Sequence, residues 1–134
     1  MCDVTSYLGI PYVSKGRDFN GCDCWGLVHL FYQKEYNLEL PTYSSWYIDV
    51  ENLSVLDYTV NTNKSIGYTQ VQEPKFGDII LFKIKGFIVH CGIYIGNNEF
   101  LHNFFGTNSC IESLDSIKWN RRIEGFYRYD RNNK

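Results

Sequence analysis

The stretch Asn20-Gly21-Cys22-Asp23-Cys24-Trp25-Gly26-Leu27-Val28 marks the point where a loop becomes a helix. From Cys24 onward, Cys24, Leu27, Val28 and Phe31 fall at i, i+3, i+4 and i+7, one apolar stripe of an α-helix. Asp23, just before the stripe, has the side chain of an N-cap. Asn37 and Pro41 supply the stop. Gln33, Lys34 and Glu35 belong to the solvent side, and His29, off the stripe, is expected at the surface. Cys24 therefore occupies the first helical turn, where backbone N–H groups have no intrahelical partner. Such a position favours a thiolate.

Downstream, Gly77-Asp78 opens an apolar run, Ile79 to Ile84, which turns at Lys85-Gly86 into Phe87 to Ile95. A further turn around Gly96-Asn97-Asn98 leads into Glu99 to Phe104. Turn residues at this spacing predict antiparallel strands, with two more near Cys110–Glu112 and Ile123–Arg128. One helix followed by a β-meander is an α+β layout. The strands carry His90 and His102. Register decides whether the two can meet. A regular two-residue loop at Asn97-Asn98 would turn His102 away from His90 unless a bulge restored the parity. A three-residue loop, Gly96-Asn97-Asn98, pairs Ile95 with Glu99, Gly92 with His102 and His90 with Phe104. The histidines are then diagonal neighbours on one face, Gly92 leaves room for their contact, and Cys91 on the other face is a core thiol. Gly and Asn tolerate the positive φ such a loop needs.

A thiol at a helix start with two histidines on neighbouring strands is the outline of a cysteine hydrolase. Cys24 would be the nucleophile and His90 the group that takes its proton and returns it to a leaving amine. His102 would hold the far nitrogen of His90. A zinc site from Cys22, Cys24, His90 and His102 is the rival chemistry. It is weaker, because a single Cys-x-Cys without a second pair is an unusual zinc spacing. No metal or cofactor is expected. Cys22 reads as a loop residue, Cys2 and Cys110 carry no signal, and Asp23 is either a helix cap alone or also a counter-charge for a substrate ammonium.

The chain has 134 residues, enough for one domain, 1–134, with its own core. Hydrophobic residues at 44% and charged residues at 21% place it among globular rather than disordered chains. A net charge of −2, with no basic block, argues against nucleic acid as a partner. No run approaches the roughly 18 apolar residues of a membrane span. Met1-Cys2-Asp3-Val4-Thr5-Ser6-Tyr7 has neither the basic nor the apolar region of a signal peptide. Five cysteines, an odd number, fit synthesis in a reducing compartment better than a disulfide framework. The 11 tyrosines are read as packing residues. Residues 3–8 predict a short helix ended by Gly9 and Pro11, and residues 12–22 a loop. Residues 42–72 are read as an insertion without chemistry, with a helical turn or two at Val50–Leu56 and a loop at Asn61–Lys64.

These residues resemble the NlpC/P60 family of papain-like cysteine peptidases. Gly9-Ile10-Pro11-Tyr12 is similar to the family's opening segment, and Asp23-Cys24-x-Gly26-Leu27-Val28 to its nucleophile motif. Gly77-Asp78-Ile79 with Leu81-Phe82 is similar to the strand after its Pro-Gly-Asp turn. His90-x-Gly92-Ile93-Tyr94-Ile95-Gly96 is similar to its base motif, with His102 at the third polar position. The resemblance implies a papain-like fold, no cofactor, and hydrolysis of peptidoglycan stem peptides, often between D-γ-glutamyl and a diamino acid. It also implies substrate contacts from Tyr12, Asp23 and Trp25. The chain departs from the pattern at Ser14-Lys15-Gly16 and at Lys75-Phe76, where Pro74 is displaced.

Trp25 stands where bacterial wall enzymes commonly carry Ser. Asp23-Cys24-Trp25-Gly26-Leu27, preceded by Gly16-Arg17-Asp18, looks most like the lambda-type tail-tip branch of bacteriophage proteins. That branch implies a virion protein made in the host cytoplasm, with other tail proteins and the cell wall as partners. A structural tail-tip protein with a hydrolase fold, and a cytosolic cysteine hydrolase of small amides, are the alternatives.

Overall fold

The structure, a computed structural model, describes residues 3–40, 67–104 and 106–129. The insertion expected over 42–72 falls outside these residues except at its end. A 3-10 turn at Val4–Tyr7, capped by the Asp3 side chain, stands where the first short helix was expected. Residues expected as loop contain a small hairpin, β1 (Arg17–Asp18) and β2 (Gly21–Cys22), paired Arg17↔Cys22 and Asp18↔Gly21. Its strands are too short to show an alternation, and they form because each packs on the start of the following helix.

That helix, α1, runs Cys24–Tyr36. Asp23 caps it, accepting from the Gly26 N–H at 2.7 Å, and Asn37 ends it in the left-handed conformation at φ 54°. Every residue from Gly26 to Tyr32 is buried. The stripe is thus only part of the buried surface, and His29, expected outside, is 8% exposed. A helix buried all round is enclosed by the fold rather than laid on it. The sheet covers one side, and Tyr7, Ile10 and Leu40 join the same cluster from other directions.

The strands β3 (Tyr68–Val71), β4 (Ile79–Ile84), β5 (Phe87–Gly96), β6 (Glu99–His102), β7 (Cys110–Ser113) and β8 (Ile123–Tyr129) form an antiparallel sheet. Its order is β3-β8-β4-β5-β6-β7. β4 to β7 are the expected meander. β8 then crosses back to the far side of β4 instead of extending the meander beyond β7. An ion pair pins that return: Asp78, 4% exposed at the start of β4, accepts from Arg128 Nε at 3.0 Å and Nη2 at 2.8 Å. Two-pronged pairing of this kind fixes direction as well as distance.

The β5–β6 hairpin has the expected pairing, reached by a bulge rather than by an odd loop. Asn97 and Asn98, at φ 54° and 60°, form a two-residue turn with Gly96 opposite Glu99. Positive φ at both central residues is the turn type that matches strand twist. The register then shifts between Tyr94 and Gly96, so that Tyr94 pairs with Phe100 and Ile93 with Leu101. Ile95 is the extra residue of a β-bulge. The bulge restores the parity that the short loop would have lost, and His90 and His102 share a face.

Each sheet face has its own cluster. Ile79, Leu81, Cys91, Ile93 and Leu101 pack against α1 through Leu27, Val28 and Phe31. Ile80, Phe82 and Phe100 face the other way, under Leu114 and Trp119. Burying side chains of this size contributes about 1.5–3 kcal/mol each.

Candidate active site

The position of Cys24 is built from the loop upward. The Asp23 carboxylate, 1% exposed, accepts from the Gly26 N–H, from Arg17 Nη1 at 2.8 Å and from the Lys15 N–H at 2.9 Å. One side chain thus caps α1 and ties two residues of the preceding loop to its start. Tyr12, half-buried, bridges to Cys22 in β2. Cys22 is fully buried, not a loop thiol, and burial pushes its pKa up to about 11. Asn103 completes the assembly. Its Nδ2 donates to the carbonyls of Cys22 at 2.9 Å and Ile10 at 3.1 Å, so the residue after His102 holds the strand that precedes Cys24.

Cys24 and Trp25 are partly buried at the edge of the helix-side cluster. The thiol of Cys24 meets that of Cys91 on β5. This contact and burial together hold the Cys91 thiol well above its ordinary range, as suits an inert core cysteine.

The histidines lie on the opposite face of the sheet. His90 Nε2 is 2.8 Å from His102 Nδ1, with His90 4% and His102 0% exposed. Gly92 makes the contact possible: a Cβ there would come within 2.9 Å of Phe100 and 3.3 Å of the His102 Cβ. His90 is enclosed by Phe82 and Phe104 and stacked on Trp119, with centroids 5.2 Å apart and planes 28° apart. Burial, then His102 and then Lys118, hold the His90 pKa well below 6.5. Burial also lowers that of His102, although Glu112 opposes it.

The structure therefore brings His90 and His102 together, and brings Cys24 to β5 one residue away from His90. Among the described residues, no hydrogen bond joins the Cys24 thiol to the His90 ring. Alternation along β5 is the reason, since Cys91 faces the helix and His90 the aromatic layer. The zinc quartet weighed from the sequence is not assembled either. The metal-capable grouping among the described residues is His102, Cys110 and Glu112, with ligand atoms within 4.8 Å of one another.

Three residues of the site were not read from the sequence. Glu112 Oε2 lies 2.6 Å from His102 Nε2. Trp119, fully buried, forms the floor under His90. Asn103 joins the two halves of the site. The position of Glu112 two residues after Cys110 on a strand paired with β6 was the only available signal, and it needed the β6–β7 register, His102↔Cys110, to be informative.

The model of the NlpC/P60 family matches residues 9–128, and the chain belongs to that family. It is 30% identical over 122 residues to the Murein DD-endopeptidase MepS/Murein LD-carboxypeptidase of Escherichia coli K12, covering 91% of this chain and 57% of that protein. It is 29% identical to the probable peptidoglycan endopeptidase LytE of Bacillus subtilis, covering 95% of this chain and 33% of that protein. The chain thus spans little more than half the length of the first and a third of the second. Among solved structures, an NlpC/P60 family protein from Bacillus cereus superposes with a TM-score of 0.69 at 24% identity, covering 93% of this chain and 37% of that one. The NlpC/p60 domain of the peptidoglycan hydrolase SagA superposes with a TM-score of 0.65 at 20% identity, covering 93% and 92%. These likenesses are to the papain-like α+β fold.

Proposed function

We propose that this chain is a cysteine endopeptidase of peptidoglycan, with Cys24 as nucleophile, His90 as proton acceptor and donor, and His102 as the residue that orients His90. The observation that carries the reading is the 2.8 Å His90–His102 contact on the strand against which the helix-start thiol packs. The Cys24 sulfur would attack the carbonyl carbon of an amide, passing its proton to His90. His90 would return it to the departing amine, leaving a thioester for water to hydrolyse. The Cys24 backbone N–H, at the helix start, would stabilise the oxyanion. The transfer requires the thiol and the imidazole, which the unliganded fold holds on opposite faces of β5, to come within hydrogen-bond reach in the substrate complex.

The preferred bond is the one between D-γ-glutamyl and a diamino acid in the stem peptide. Tyr12, Asp23 and Trp25 would hold the substrate: Asp23 and Trp25 flank Cys24 in sequence, and Tyr12 bridges to Cys22 two residues before it. A substrate ammonium reaching Asp23 would have to displace Arg17, since that guanidinium occupies the carboxylate. Digestion of purified peptidoglycan, with the released fragments identified by mass spectrometry, tests the activity and the bond together. Release of no stem-peptide fragment by the wild-type chain, with the fold intact, would refute it.

The setting we favour is a bacteriophage tail tip. Its support is Asp23-Cys24-Trp25-Gly26-Leu27 together with Gly16-Arg17. Arg17 and Asp23, from the two parts of that resemblance, form one ion pair at 2.8 Å. Mass spectrometry and antibody labelling of purified virions and of assembly intermediates decide it. Absence from both, with the gene in a bacterial wall operon, would reject this setting.

A further inference from the structure

We propose that Glu112 is a positioning residue: through its hydrogen bond to His102 it sets the tautomers of both histidines and leaves Nδ1 of His90 as the bare, proton-accepting nitrogen. The inference rests on the reading of His90 as the base.

A carboxylate only accepts hydrogen bonds, whereas a neutral imidazole has one donor and one acceptor nitrogen. Glu112 Oε2 is 2.6 Å from His102 Nε2. Two facing lone pairs would repel at that distance, so Nε2 carries the hydrogen. His102 is fully buried and its pKa lies below 6.5, so it is neutral at pH 7 and its Nδ1 is bare. That nitrogen is 2.8 Å from His90 Nε2, which must then donate. His90 is also neutral, because burial disfavours its charge, and its remaining nitrogen, Nδ1, has the free lone pair. When Nδ1 takes a proton from the thiol, the new cation keeps its Nε2–H toward His102, with the Glu112 charge one ring further on.

Register delivers this chain. Phe100 pairs with Glu112 and His102 with Cys110, so Glu112 is a diagonal neighbour of His102 on the same face. Glu112 is 33% exposed in its side chain, so its charge stays partly hydrated while its inner oxygen holds the buried ring. The other titratable groups facing the pair are Cys110, whose sulfur lies 3.8 Å from His102 Nε2, and Lys118. The Cys110 thiol is pushed up by burial and by Glu112, so it stays protonated and does not replace the carboxylate as acceptor.

The test is nitrogen NMR of the chain labelled with 15N-histidine, in the presence of a metal chelator, alongside kinetics on peptidoglycan fragments. Wild type is expected to show a protonated Nε2 and a bare Nδ1 on both rings. Glu112→Gln should keep that pattern, because its amide oxygen accepts the same proton. Glu112→Ala should let His102 populate both tautomers and lower kcat about tenfold with little change in KM. A protonated Nδ1 on His102 in wild type overturns the proposal without any variant. So does an unchanged pattern in Glu112→Ala, or a pattern that depends on removing metal. The expected pattern in a wild-type chain that hydrolyses nothing upholds the role of Glu112 and strikes only the enzymatic reading. Hydrolysis with the wrong pattern strikes only the inference.

Discussion

The two faces of the central sheet are built differently and serve the site differently. The helix face is extensive and mixed: Leu27, Val28 and Leu30 of α1 pack with Ile79, Leu81, Ile93 and Leu101 of the sheet and with the rings of Tyr7, Phe31, Tyr32 and Tyr127, and together they hold the thiol-bearing turn in place. The other face is small and aromatic. Phe82, Phe100 and Trp119 enclose two imidazoles that would otherwise be buried without partners. The two imidazoles lie on the smaller face, where aromatic edges and faces surround the neutral rings closely and one hydrogen-bond chain engages both nitrogens of His102 and Nε2 of His90. The proposed nucleophile would need a rigid support, and the proposed base a dry, oriented one.

The largest expected effect separates the faces by chemistry. Cys24→Ala should reduce hydrolysis of purified peptidoglycan to background with little change in thermal midpoint, since only a partly buried thiol is lost. Fragment release near the wild-type rate would remove the helix face from the mechanism. On the aromatic face, His90→Ala should cost about 10²–10⁴ in kcat/KM, the range of acid–base assistance. His102→Ala should cost less, because it acts only through His90. A steady-state comparison in which His102→Ala is the more damaging would reverse their assigned order.

Stability sharpens the contrast further. Phe31→Ala and Trp119→Ala remove large buried rings from opposite faces, and each should cost about 3–5 kcal/mol in denaturant unfolding. Only Trp119→Ala takes away the surface on which His90 stacks. It alone should disturb the histidine signals in NMR of the folded protein, and equal disturbance by Phe31→Ala would mean that the faces are not independent.

The smallest effect is on pH. His29 on the helix face and His90 and His102 on the aromatic face all have pKa values lowered from 6.5 by burial. Below pH 6.5 the unfolded chain therefore binds more protons than the folded one, and stability falls as pH drops. The slope is at most about 1.4 kcal/mol per pH unit for each histidine. Urea unfolding across pH 4–8, a range spanning the ordinary imidazole value, should show full stability above 6.5 and progressive loss beneath it. A flat profile would mean that burial does not lower the imidazole pKa values, since the folded and unfolded chains would then take up protons alike.

What was legible in the sequence was local. Asp23 as cap, Cys24 as first helical residue and Asn37 as terminator follow from propensity and helical spacing within one segment. The strands Ile79–Ile84 and Phe87–Gly96 follow from apolar runs between glycine turns. His29 was misplaced because the stripe identifies the most apolar side of a helix, not whether the other sides are also covered. The β1–β2 hairpin was missed because two residues per strand are too few to carry an alternation. The pairing of His90 with His102 was deducible as a condition on parity, but whether loop length or a bulge would meet it was not.

By itself, the sequence determined where the thiol stands on its helix, which strands carry the histidines, and that the two histidines meet only if parity is kept. Those are properties of periods of 3.6 and 2, written within single elements. Tertiary structure alone decided that Ile95 bulges, that β8 returns beside β4, that Asn103 ties β6 to β2, and that Trp119 and Glu112 complete the histidine site. Apart from the bulge, which belongs to one hairpin, each of these depends on residues of different elements meeting across the fold. No local pattern records which distant partner a side chain will find once the backbone has closed around it.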